Sequence, residues 1–247
     1  MIRNIRLTIE YDGARFFGWQ SQRTEKRKTV QEEIEKAAYR LFGKKIKLVG
    51  SGRTDSGVHA EAHVANFKTA SNLPLINIKR GLNNYLPKDI AVTAADEVKI
   101  DFHSRFDARG KLYRYTILNR KIRSPLLKRY TAFVSYDLNI DSMRKAARCL
   151  IGRKDFKSFQ AAARKEKSSI RTIKKLTIVS KPPLIEIYIQ ADGFLYNMVR
   201  NIVGTLIDIG RGKFPQGTIK KLIRGKDRSK GGPTAKACGV VLVGVKY

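Results

Sequence analysis

Acid is what this chain has little of. Against 51 lysines and arginines stand 21 aspartates and glutamates, for a formal charge of +30 at pH 7. A surface so short of carboxylate attracts polyanions, so phosphate-rich partners are the first expectation. Cysteine is nearly absent too. Cys149 and Cys238 stand far apart and outside any C-x-x-C pattern. That leaves no disulfide framework and implies free thiols in a reducing compartment, the cytoplasm. Long apolar runs are also missing. No stretch nears the ~20 apolar residues that a bilayer-spanning helix needs, and Arg3 and Arg6 interrupt the opening where a secretion signal would be unbroken. An anionic membrane would also draw this charge, but no amphipathic basic helix or lipidation motif accompanies it.

Several chemical signatures are lacking as well. "GSGRTDSG" at 50–57 is rich in glycine, yet it does not carry the G-x-x-x-x-G-K-[ST] spacing of a phosphate-cradling loop. His59 and His63 lie four apart, but their segment does not read as a helix, has no H-E-x-x-H glutamate and shows no third ligand, so no metal is expected there. Glu61 is the only other acid within ten residues of Asp55, which gives no indication of a glycosidase carboxylate pair. A nuclease is disfavoured because no acidic metal cluster or histidine pair is visible.

What is present is a folding composition, 42% hydrophobic and 9% aromatic. Ile5, Leu7, Ile9 and Tyr11 alternate with polar residues, the period of a strand, and Asp12-Gly13 breaks it. "TVQEEIEKAAYRLFG" (29–43) reads as a helix, capped by Thr29 and Glu32 and stopped by Gly43. The patterns predict strands over 46–49 and 62–69, a helix from Leu75 to Tyr85, and a strand over 90–98. Further on they predict strands over 110–119, about 171–180 and 184–191. Helices are expected from Ile140 to Leu150, over 194–209 and near 216–224, before a last strand, "GVVLVGVKY". Adjacent strands mixed with helices point to an α+β fold with largely antiparallel sheet. The element order divides into two related halves, 1–105 and 106–247.

Basic residues gather at 23–28, 44–47, 163–175 and 220–232. Each alone reads as a solvated loop; four of them in so cationic a chain point to a nucleic-acid surface. "YDGARFFGWQ" and "KLYRY" set rings beside basic residues, as where bases stack and phosphates are clamped.

Two features resist an ordinary reading. Asp55 lies in a glycine-punctuated turn two residues from Arg53. It could simply close that turn. Yet a lone anion in a strongly positive field opposes RNA binding unless it has a task, and a carboxylate beside a guanidinium stays ionised. The helix over 194–209 carries a core stripe of Leu195, Met198, Val199, Ile202, Leu206 and Ile209. Its opposite face is Tyr196, Asn197, Arg200, Asn201 and Gly204, short of charge for a free surface. That face is expected to pack against something polar, with Arg200 needing an anion, for which Asp55 is a candidate.

Taken in order, "YDG", "FFGWQ", "VQEEIEKA", "GSGRTDSGVHA", "FHSRFDARGKLYRY", "DFKSFQ", "NMVRNIVGTL" and "TAKACGVVLVGVKY" closely resemble the motifs of TruA-type tRNA pseudouridine synthases along the whole chain. The resemblance implies an α+β fold of two RRM-like halves, with antiparallel sheets flanking a central active-site cleft. By position, Asp55 matches the catalytic aspartate, Tyr113 the residue that stacks on the target uracil, Arg53 a basic residue associated with flipping the base, and Arg200 the partner of the aspartate. The implied reaction is isomerisation of uridine at tRNA positions 38 to 40, in the anticodon stem-loop, by a homodimer. It needs no metal or nucleotide cofactor. The competing reading is a non-catalytic RNA-binding protein, a ribosome-associated factor or RNA chaperone, which the charge and aromatics would serve equally and in which Asp55 would have no task.

Overall fold

A computed structural model describes residues 1–20, 28–161 and 168–247. Most of the basic cluster at 23–28, and the first part of the one at 163–175, lie outside the described residues. The chain divides into two compact units, one of Met1–Arg109 with Val241–Tyr247 and one of Gly110–Val240.

The first unit begins with strand β1 (Arg3–Tyr11), followed by helix α1 (Val30–Phe42), β2 (Val49–Gly50), β3 (His59–Thr69), α2 (Leu75–Tyr85) and β4 (Ile90–Val98). β1 lies between β3 and β4 and is antiparallel to both, with Leu7 opposite Ala65 on one side and Ala95 on the other. The alternation read from the sequence is the burial pattern observed: Ile5, Leu7, Ile9 and Tyr11 all face the core. α1 starts at a reciprocal capping box between Thr29 and Glu32 and ends at Gly43, which takes the left-handed conformation that a helix stop favours. Ile34 and Ala38 of α1 meet Leu82 of α2 and Leu7 and Phe67 of the sheet in the interior. The strand expected over 46–49 is displaced to Val49–Gly50, where it pairs with Asn66 and Ala65 of β3. The returning strand is longer than its apolar pattern, beginning at His59.

The second unit contains β5 (Gly110–Asn119), β6 (Ala132–Val134), α3 (Ile140–Ala147), β7 (Gly152–Asp155), β8 (Ile170–Lys181), β9 (Leu184–Ala191), α4 (Met198–Gly210) and α5 (Thr218–Gly225). β9 sits between β5 and β8, antiparallel to each; β7 adds antiparallel to β8, and β6 runs parallel along the end of β5. α4 is buried nearly all round, as a helix apolar on most faces must be. It starts at Met198 and not at 194, because Asn197 just before it holds a left-handed φ of 60°. α3 gives way to a single 3-10 turn at Arg148–Leu150. After the second unit comes β10 (Val240–Lys246), whose Val241 and Leu242 pair parallel to His59 and Ala60 of β3 in the first unit's sheet.

The architecture is therefore α+β with mostly antiparallel pairing, as the element order predicts. Among the described residues, no helix is long and apolar enough to cross a membrane.

Candidate active site

Asp55 lies in the first unit, in the turn between β2 and β3, with Arg53 exposed on the same turn and Asp55 partly so. Residues 11 to 19 hold this turn from beneath. Trp19 N–H donates to Thr54 O at 3.2 Å, Gly57 N–H donates to Phe16 O at 3.3 Å, and Val58 N–H closes the turn on Asp55 O at 3.2 Å. The hydroxyls of Tyr11 and Thr54 share a buried hydrogen bond of 2.8 Å. Backbone meets backbone so closely here that side chains have no room. A Cβ on Gly18, whose φ is 78°, would fall 2.3 Å from Thr54 O, and one on Gly13 would fall 1.9 Å from Val58 O. These glycines admit the turn, and the hydrogen bonds fix its height.

The two histidines serve this clamp. His63 stacks on Trp19 with ring centroids 3.6 Å apart, and Gly13 N–H donates to His59 Nδ1 at 3.0 Å. Both rings thus pack against the segment that supports Asp55. Among the described residues, no group of three or more His, Cys, Asp or Glu is placed to hold a metal ion.

Tyr113 and Arg200 lie in the second unit. Tyr113 sits on β5 opposite Ile189 of β9, largely buried, with its ring edge-on to Phe194 at 5.0 Å. Phe194 was not among the expected site residues; its position in "DGFLYN", beside the helix start, was the available signal. Two residues on, Tyr115 is fully buried and its hydroxyl donates to Lys236 O at 2.9 Å. Burial pushes that phenol well above its usual range, against a smaller downward pull from Arg200. Burial likewise raises the Cys238 thiol, which contacts Thr131 O at 3.3 Å.

Arg200 is in the first turn of α4. Its Nε donates to Ala235 O at 2.7 Å and its Nη1 to Asn197 Oδ1 at 2.9 Å. The weakly charged helix face is indeed packed against something polar: the backbone of residues 232 to 235. Ala235 N–H donates to Arg200 O at 3.2 Å. A Cβ on Gly204 would lie 1.7 Å from Pro233 O, so glycine is required where the two backbones touch. Arg53 and Asp55 thus share one turn of the first unit, and Tyr113 and Arg200 belong to the second.

Of the basic clusters, 44–47 exposes Lys44, Lys45 and Lys47, and α5 exposes Lys220, Lys221 and Arg224 while burying Ile219 and Leu222.

A family described as tRNA pseudouridine synthase matches residues 7–107 and 146–247. Over the full length of both chains, this one is 47% identical to a tRNA pseudouridine synthase A 2 of Clostridium perfringens. It is 44% identical, again over both full lengths, to proteins of Clostridium tetani and of a Thermoanaerobacter species, named tRNA pseudouridine synthase A 2 and tRNA pseudouridine synthase A.

Proposed function

This chain belongs to the tRNA pseudouridine synthase family, and we propose that it isomerises uridine to pseudouridine at positions 38 to 40 of the tRNA anticodon stem-loop, with Asp55 as its catalytic residue. The reaction breaks the bond between ribose C1′ and uracil N1, turns the base, and joins C1′ to C5. The C5 proton leaves and N1 takes one up, so atoms and electrons balance without an outside reagent. Family membership along the whole chain favours this over an RNA-binding protein without chemistry.

The observation that carries the assignment of Asp55 is how its turn is built. Three backbone hydrogen bonds, the Tyr11–Thr54 hydroxyl pair and two glycine-permitted contacts hold the one acid of a turn that also bears Arg53. Such rigidity is what a reacting group needs, because catalysis depends on a carboxylate already aimed at its target. Two routes are open to it: attack on C1′, or removal of a proton from the ribose. Arg200 takes the role of the aspartate's partner, as its match to the family motif implies. Tyr113 stacks on the uracil so that the detached base turns in place. Arg53 takes part in extruding the base, a step that costs a few kcal/mol for a paired nucleotide.

In this reading the halves 1–105 and 106–247 divide the work: the first presents the aspartate, the second the stacking ring and the arginine. The enzyme works as a homodimer in the cytoplasm, and its positive charge draws in tRNA. The test is to incubate purified protein with an unmodified tRNA transcript and map pseudouridine by carbodiimide labelling and primer extension. Stops at positions 38 to 40 are expected. Stops elsewhere would move the site; none, with a transcript that a known synthase modifies, would overturn the activity.

A further inference from the structure

We propose that Thr234 and Arg228, acting through Asn201, are positioning residues that set the aim of the Arg200 guanidinium. The inference rests on the reading of Arg200 as the partner of Asp55. Asn201 is fully buried, and each of its polar atoms is engaged. Its Oδ1 accepts from Thr234 Oγ1 at 2.7 Å and from Arg228 Nη2 at 2.9 Å, while its Nδ2 donates to Phe159 O at 2.8 Å. A buried amide satisfied on both ends cannot turn without leaving a polar group unpaired. It is therefore a fixed reference point on α4, one residue from Arg200.

The strap over 232–235 is tied to the helix at successive places. Gly232 N–H donates to Thr205 Oγ1 at 3.1 Å, and Thr234 Oγ1 reaches Asn201. Ala235 bonds Arg200 twice, through its N–H to the backbone carbonyl and through its own carbonyl to Nε. The last tie, together with the bond from Nη1 to Asn197 Oδ1, sets the plane of the guanidinium. Because Ala235 follows Thr234 directly, the Thr234–Asn201 bond governs where that carbonyl stands.

Arg228 differs from its basic neighbours. Lys220, Lys221 and Arg224 are exposed, as residues meeting a phosphate backbone would be. Arg228 is half-buried and spends Nη2 on two neutral oxygens, Asn201 Oδ1 and, at 3.4 Å, Thr234 Oγ1. Withdrawing a cation from water toward neutral acceptors is unfavourable by itself, and here it locks the amide that the strap reads.

The full-length protein is tested by single-turnover release of tritium from uridine C5 of an unmodified transcript, with tRNA affinity measured over a salt series. Thr234→Val and Arg228→Gln are each made alone and together with Arg200→Lys. Loss of one aiming hydrogen bond is expected to slow release about tenfold with affinity and salt slope unchanged. In the Arg200→Lys background the same changes are expected to have less than about a twofold effect, since the group they aim is gone. Thr234→Ser, which keeps the hydroxyl, is expected to retain the parent's rate. Equal slowing in both backgrounds, or no slowing in either, would overturn the proposal. So would weaker binding with a shallower salt slope, the mark of a phosphate contact. Should Thr234→Val fail to fold, Arg228→Gln decides. Arg200→Lys running at the parent's rate would instead sink the reading of Arg200 itself.

Discussion

The turn at Asp55 and the first turn of α4 at Arg200 are both held by a second segment of backbone, but by different means. Beneath Asp55 the clamp comes from residues 11 to 19, with a left-handed glycine, a stacked Trp19–His63 pair and main-chain hydrogen bonds. Around Arg200 the clamp is a strap lying on a helix face, tied by side-chain hydrogen bonds through Asn201 and by the two-way bond of Ala235. Each clamp uses a glycine to let a carbonyl close in, Gly18 under Thr54 and Gly204 under Pro233. The lesson is that a small acid on a tight turn is placed chiefly by fixing the backbone of its turn. A long arginine needs its own side-chain atoms held.

The largest way to break this contrast is Gly18→Ala. The added methyl meets Thr54 O, and the left-handed backbone opposes any Cβ. Together these are expected to cost about 3 kcal/mol, read as a lower urea midpoint, and to lower activity with it. Gly204→Ala comes next. Its methyl would meet Pro233 O, but the strap can lift, so a stability loss of roughly 1–3 kcal/mol is expected. Its activity is expected to fall by more than that loss alone explains, because lifting the strap releases Arg200. Tyr11→Phe removes the hydroxyl that bonds Thr54. It is expected to cost about 1 kcal/mol and to slow single-turnover isomerisation a few-fold while tRNA affinity holds.

The smallest effect compares the units in alkali. Tyr115 in the second unit and Tyr247 in the first each donate to a carbonyl, and burial raises both phenols. A phenol raised in the folded state contributes stability that is whole below its unfolded value of about 10 and is lost as pH climbs past it. Thermal unfolding at rising pH is expected to show this loss, reduced by Tyr115→Phe and by Tyr247→Phe alike.

Much of the fold was legible because it is written locally. β4 and β5 have the bounds their alternation predicts, and α1 has the capping box and glycine stop that its sequence carries. What escaped depends on contacts distant in sequence. The strand over 46–49 yields to pairing with β3, which begins only at Val49. β6 and β7 are too short, at three and four residues, to show a period. α4 begins late because Asn197 adopts a positive φ that spacing cannot reveal. At the site, the oddity of a helix face bearing Arg200, Asn201 and Gly204 was visible. Its cause was not, since nothing in "GGPTA" announces that it lies across that face.

The central claim is that the Asp55 carboxylate performs the isomerisation. The measurement that tests it most directly pairs tritium release from uridine C5 with tRNA affinity for Asp55→Asn, a change of charge without a change of shape. The account predicts release lower by about four orders of magnitude or more, with affinity unchanged within about threefold, roughly 0.7 kcal/mol. Release near the parent's rate from the same transcript would contradict it.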